Sequence, residues 1–85
     1  MSNDELIKHL SENLREEFRD IIRYADMSKK VNNSGYSQIL RDMAHEEQQH
    51  ANHIKNILAD MGAVLPNQEE FNTLCERAEK SLEEM

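Results

Sequence analysis

The chain has 85 residues and a formal net charge of −7, and 32% of its residues are charged. This length allows one domain with a modest core, so self-association is expected. An acidic surface repels nucleic acid and anionic membranes, and it attracts cations. The single cysteine excludes an internal disulfide, and no apolar run approaches the ~20 residues of a membrane span. The N-terminal residues also show no signal-peptide pattern, so we expect a cytoplasmic protein. From its charge and hydropathy we expect it to bind neither nucleic acid nor membrane.

The first predicted helix begins after Ser2 and runs to about residue 31. Ser2 and Glu5 have the spacing of a capping box, in which each side chain accepts a hydrogen bond from the other residue's backbone N–H. Residues 32–35, NNSG, predict a break, because asparagine and glycine tolerate left-handed backbone angles.

Two more helices follow, over about residues 36–61 and 68–84. Gly62 ends the first of them, and Pro66 blocks its continuation. Asn67 has the position of a cap for the last helix. The sequence therefore predicts an all-α chain with a single domain over residues 1–85 and helices at about 3–31, 36–61 and 68–84. The apolar stripe of the third helix comprises Phe71, Leu74, Ala78, Leu82 and Met85.

Each long helix carries a heptad seam that is apolar except near its middle. Glu17 interrupts the first seam, and Glu47 and His50 interrupt the second. An unpaired carboxylate in a helix core is costly, and one cation could serve all three groups. The seams comprise Leu10, Leu14, Glu17, Ile21, Tyr24, Ser28 and Val31 in the first helix, and Leu40, Met43, Glu47, His50, Ile54, Ile57 and Met61 in the second.

A short segment of the second helix, AHEEQQHANH, contains three histidines, and only one of them lies on the seam. Glu47 and His50 are three residues apart, so one ion can contact both. His45 lies about 140° around the helix from His50. The zinc-protease motif His-Glu-x-x-His is not present, because Gln49 occupies the position of its second histidine. His53, one turn past His50, is either a rim histidine in water or a neighbour of the site.

Other polar residues beside the seams have two interpretations each. Glu16 and Glu46 are either secondary metal ligands or surface charges. Tyr24 follows Glu17 by seven residues on the same helix face. It either donates a hydrogen bond to a metal-bound carboxylate or is a plain core tyrosine.

Glu17, followed on the next helix by Glu47-x-x-His50, resembles the ferritin-like di-iron signature. The chain contains half of that signature and two of the four bundle helices. A second copy related by a two-fold axis would complete both and would supply four Glu and two His around two metals. The resemblance implies an antiparallel helical hairpin plus a short C-terminal helix, with a four-helix bundle completed by dimerisation.

Over about residues 10–85 the chain is similar to the encapsulated ferritins. The similarity includes the interval of 30 positions between the two glutamates, a tyrosine seven residues after the first, paired acidic residues before the histidine and a short third helix. It implies that Glu17, Glu47 and His50 are ferroxidase ligands and that Tyr24 is the site tyrosine.

The same resemblance implies several partners. It indicates a homodimer, an annular decamer built from dimers and an encapsulin shell around the ring. Glu16 is implied to lie near the path by which metal enters, and Arg19 stands where this family often has another acidic residue. Residues 76–85 show no similarity to an encapsulin-targeting peptide.

The expected function is that of a ferroxidase, which oxidises Fe(II) to Fe(III) for mineralisation and storage. Carboxylates with imidazole suit iron, with manganese as the alternative metal. Glu47 or its two-fold mate would bridge two metals, and Glu17 and His50 would be terminal ligands. Two alternatives stay open: a rubrerythrin-like di-metal peroxide reductase, and a non-catalytic helical homodimer. A rubredoxin domain would need four cysteines, and the chain has one.

Overall fold

The computed structural model describes residues 2–65 and 67–85, so the stop predicted at Pro66 lies outside the described residues. These residues form three helices and no strand. None of the helices, over the described residues, is long and apolar enough to cross a membrane. The helices are α1 (Asn3–Lys30), α2 (Ser34–Asp60) and α3 (Gln68–Glu83).

Helices α1 and α2 form an antiparallel hairpin, which confirms the predicted all-α ferritin-like architecture. Their connection is shorter than predicted, because α2 begins before Gly35. Asn33 caps α2 from an extended conformation, and its Oδ1 accepts a hydrogen bond from the Tyr36 N–H at 3.0 Å. The left-handed angles expected in this connection are not used, since Gly62 and Asn67 are the described residues with positive φ.

The other helix ends follow the prediction at two of three places. The Glu5 N–H donates to Ser2 Oγ at 3.2 Å. Gly62, at φ 64°, ends α2, and the following Ala63 N–H reaches back to a helix carbonyl. The prediction that the Asn67 side chain caps α3 was wrong. Its φ of 60° is left-handed, whereas a capping side chain needs extended backbone, and its carbonyl accepts the Glu70 N–H instead.

The core of the hairpin follows the predicted seam in part on α1 and lies beside it on α2. On α1, Leu14 and Ile21 are buried as predicted, but Phe18 is buried too, while Leu10 and Tyr24 are only half-buried. Successive residues on a helix point about 100° apart, so the middle of the buried face of α1 lies closer to Phe18 than to the seam position Glu17.

On α2 the buried residues are Ala44, Ala51 and Leu58, and none of them belongs to the predicted seam. Alanine adds little to a hydrophobic pattern, yet its small side chain lets two helices approach closely. The seam expected in the core therefore runs along the edge of the hairpin, where Ile57 is 45% exposed.

Helix α3 packs along α1 and runs parallel to it. Arg15 pairs with Glu70 at 3.2 Å near one end, and Lys29 pairs with Glu84 at 3.6 Å near the other. Arg15 lies about 160° around α1 from Glu17. Helix α3 thus covers the far side of α1 and leaves the Glu17 face of the hairpin open. The α3 residues in the core are Phe71, Leu74 and Ala78, with Leu82 half-buried against it.

Candidate metal centre

The structure brings the three predicted ligands together on the open face of the hairpin. One ligand atom each from Glu17, Glu47 and His50 lies within 4.8 Å of the other two. His50 Nδ1 is 3.8 Å from Glu17 Oε2 and 3.7 Å from Glu47 Oε1. Glu47 and His50 share one face of α2 through their three-residue spacing, and the antiparallel pairing places Glu17 opposite them.

The cluster lies at the rim of the chain rather than in its core. The side chains of Glu17 and Glu47 are each 21% exposed, whereas that of His50 is 50% exposed. The two carboxylates therefore point toward the protein, and the imidazole stands half in water. This exposure differs from the core position predicted for His50, because the buried side of α2 is centred on its alanines.

The Glu17 carboxyl is strongly disturbed by its surroundings. Burial, together with the contact to the Glu47 carboxyl and its negative charge, raises the pKa of Glu17 from 4.5 to about 8. Asp20 and Glu16 add smaller effects of the same sign. Glu17 Oε2 is also buried without a hydrogen-bond partner among the described residues. A carboxylate in this position is under-compensated and needs a proton or a cation.

These features fit a bound divalent cation. Carboxylate oxygen and imidazole nitrogen are donors found in iron and manganese sites. A cation would supply the partner that Glu17 Oε2 lacks, and it would cancel the repulsion between the two carboxylates. One chain offers two carboxylates and one imidazole, half of the donors of a ferritin-like di-metal centre.

The remaining predicted residues lie outside this cluster. Tyr24 is half-buried, and its ring centroid lies 5.8 Å from the Arg23 guanidinium carbon. Over the described residues, no hydrogen bond joins Tyr24 to a ligand. Glu16, Glu46 and His53 are exposed, so their roles as secondary ligands or neighbours of the site stay predictions.

Asp20, which was not among the predicted site residues, also affects the electrostatics of Glu17. Asp20 lies one turn after Glu17 on α1, and its negative charge helps to raise the pKa of Glu17. Its spacing of three residues from Glu17 was the available signal, since such pairs are neighbours on a helix surface. The Asp20 carboxylate also forms an ion pair with Arg23.

Residues 8–84 match the family model for rubrerythrin. The chain belongs to the rubrerythrin family. This family is part of the ferritin-like superfamily and implies a di-iron protein, in agreement with the donors that Glu17, Glu47 and His50 bring together. No curated protein and no solved structure matches the chain. The rubrerythrin-family match covers α1 from residue 8 onward and the whole of α2 and α3, so all three candidate ligands fall within it.

Proposed function

We propose that this rubrerythrin-family protein is a ferroxidase that takes Fe(II) as substrate and oxidises it to Fe(III). The single observation that carries the proposal is the cluster of Glu17, Glu47 and His50, whose donor atoms lie within 4.8 Å of one another. The under-compensated Glu17 carboxyl adds to this, because a structural role would favour a satisfied hydrogen bond over an orphaned buried oxygen.

The protein side of the reaction follows from the three ligands. Two bound Fe(II) would each lose one electron, and O₂ would take these two electrons and become peroxide. Glu47, and Glu17 once it has lost its proton, would provide the negative charge that attracts Fe(II). Because the pKa of Glu17 is raised to about 8, much of this carboxyl is protonated near neutral pH. Metal binding therefore releases a proton from Glu17. His50 contributes a neutral nitrogen from the half-exposed side.

A second copy of the chain completes the centre in this proposal. One chain holds half of the donors, and His50 is half-exposed toward the open face. Large apolar side chains flank the ligands along α2: Ile39 is 56% exposed on one side and Ile57 is 45% exposed on the other. A two-fold axis through this face would bury them and bring two half-sites together.

The larger assembly is proposed on resemblance to the encapsulated ferritins. It comprises an annular decamer and an encapsulin shell in the cytoplasm, within which the ferric product would mineralise. The dimer itself has a direct test. Sedimentation velocity of metal-free protein, with and without added Mn(II), should show metal-driven association that Glu47→Ala abolishes. The same mass under all conditions would contradict metal-driven assembly.

The ferroxidase proposal is tested by aerobic titration with Fe(II), following the absorbance of the ferric product. We expect fast oxidation that breaks at about one iron per chain, as two iron per pair of half-sites requires. Glu47→Ala should abolish it. The matched control is Glu76→Ala, which removes an exposed carboxylate on α3, outside the cluster. Oxidation no faster than in buffer, or equal loss in both variants, would refute the proposal.

The family match favours a second candidate on the same ligands, a rubrerythrin-like peroxide reductase. In this case H₂O₂ rather than O₂ would take two electrons, with two protons, to give two H₂O. The ligands would keep the iron bound, and an external electron donor would have to return it to Fe(II) after each turnover. Anaerobic reaction of the ferrous-loaded protein with H₂O₂ separates the candidates. A peroxide reaction much faster than the O₂ reaction, with iron retained on the protein, would select the reductase.

A further inference from the structure

The packing directly behind the ligands depends on one small residue. Ala51 follows the ligand His50 in sequence and is fully buried, with 0% exposure. It belongs to the same core cluster as Phe18, which follows the ligand Glu17. The two residues adjacent to cross-helix ligands are thus both buried and both belong to the core cluster that joins α1 and α2. The buried series on α2 continues with alanine at position 44 and leucine at position 58.

The size of a residue buried between two helices sets how far apart the helices lie. Axes of packed helices are about 8–10 Å apart, and small side chains give the lower value. Bonds from a metal to carboxylate oxygen or imidazole nitrogen are about 2.0–2.2 Å. Two donors on one ion therefore cannot be more than about 4.4 Å apart.

The cross-helix pair of donors lies just inside this limit. His50 Nδ1 and Glu17 Oε2 are 3.8 Å apart. A widening of the hairpin by roughly 1 Å, half the range of packed helices, would place them beyond the reach of one ion. The pair of Glu47 and His50 lies within α2 alone, so the same widening leaves their distance of 3.7 Å unchanged. A change in the separation of α1 and α2 therefore moves only Glu17 relative to an ion held by Glu47 and His50.

We propose that Ala51 is a positioning residue for the metal centre: its short side chain sets the α1–α2 separation at which Glu17 reaches an ion held by Glu47 and His50. The inference rests on the proposed role of these three residues as metal ligands. Ala51 offers no donor atom, so it acts through the backbone spacing and not by contact with the metal. An alanine at this position serves the site as well as the core.

The test compares three variants by metal affinity and by stability. Co(II) is the probe, followed by its visible absorption at a fixed chain concentration. Urea unfolding of the metal-free proteins gives the stability. Ala51→Val should weaken Co(II) binding by about tenfold or more, the range seen when residues that support metal ligands are changed. Ala51→Gly keeps the space, and Ala78→Val overpacks an equally buried alanine between α1 and α3.

Both control variants should lose stability and keep the Co(II) affinity of the natural chain. The Co(II) spectrum of Ala51→Val should also change, because one carboxylate leaves the ion. Wild-type affinity and spectrum in a folded Ala51→Val variant would overturn the inference. So would affinity losses that follow stability in all three variants. If Ala51→Val does not fold, Ala51→Ser takes its place, because serine adds only one atom. This variant should show a smaller loss in Co(II) affinity, and an unchanged affinity would overturn the inference.

If the proposed metal centre itself is wrong, the same experiments give a different result. In that case the natural chain itself binds no Co(II), and Glu47→Ala behaves like it. Binding by the natural chain that depends on Glu47 but is indifferent to the size of residue 51 leaves the metal centre standing and removes only the role of Ala51.

Discussion

Replacing Glu17 by glutamine should stabilise the metal-free protein in alkaline solution and leave it unchanged in acid. The pKa of Glu17 is raised from 4.5 to about 8 in the folded chain. The folded state therefore holds this proton more tightly than the unfolded state. The stability that the protonated carboxyl contributes is complete below pH 4.5 and is lost as the pH rises through about 8. Glutamine stays uncharged throughout, so the variant avoids the loss.

The size of the effect follows from the same change in pKa. One pH unit corresponds to about 1.4 kcal/mol, which would give about 5 kcal/mol for the full change. The Glu17 side chain keeps 21% of its surface in water, and this residual solvent screens part of the charge. We therefore expect the variant to be more stable by on the order of 3 kcal/mol above pH 8.

The assay is urea unfolding followed by circular dichroism, in the presence of a chelator, near pH 4.5 and at about pH 9. Glu46→Gln is the control, because it removes the same charge from an exposed neighbour of the cluster. It should change the free energy of unfolding by less than about 0.5 kcal/mol at either pH. A difference between Glu17→Gln and the natural chain that is the same at both pH values would refute the electrostatic account.

Four further predictions concern the scaffold and the free cysteine. Asn33→Ala should lower the free energy of unfolding by about 1 kcal/mol through loss of the α2 cap. Asn67→Val should lower it by about 1–2 kcal/mol, because φ at this position is 60°, where a β-branched residue is strained. Thermal unfolding checks both variants, and an unchanged midpoint would contradict the prediction for that variant. Ile21→Ala should cost about 2–5 kcal/mol in urea unfolding, since the side chain is fully buried, and a loss below about 1 kcal/mol would contradict its place in the core. Burial raises the pKa of the Cys75 thiol, so iodoacetamide should alkylate it more slowly than a model peptide thiol at neutral pH, and an equal rate would refute this.

The candidate ligands could be predicted from sequence because they break a regular pattern. Glu17, Glu47 and His50 are polar residues at positions where a heptad expects apolar ones. An exception of this kind is visible without knowing how the helices pair. The hairpin then brings the three together within 4.8 Å. Whether they bind metal stays a prediction, which the Fe(II) titration tests.

The core itself could not be placed from the same pattern. A heptad seam is marked by large apolar residues, whereas α2 is buried through Ala44 and Ala51 as well as Leu58. Alanine is neutral in a hydrophobic pattern, so nothing in the sequence marked these two alanines as buried. The Asn67 cap failed for a related reason, because cap chemistry depends on a backbone angle that residue type does not determine.

The displaced seam has a physical meaning for the assembly. The apolar surface of α2 is wider than one contact with α1 needs, and its unused part carries Tyr36, Ile39 and Ile57, which are 63%, 56% and 45% exposed. The half-exposed ligand His50 lies on the same side. Of these three residues only Ile57 was predicted in the core, and its position at the edge is what a chain would show if its core were completed by a second copy. Both candidate activities need that completed centre, so a variant such as Ile57→Asp, which should block association while leaving the half-site intact, should abolish oxidation by O₂ and by peroxide alike. A chain held monomeric in this way that still oxidised Fe(II) at the natural rate would contradict the shared centre and, with it, both proposed activities in their present form.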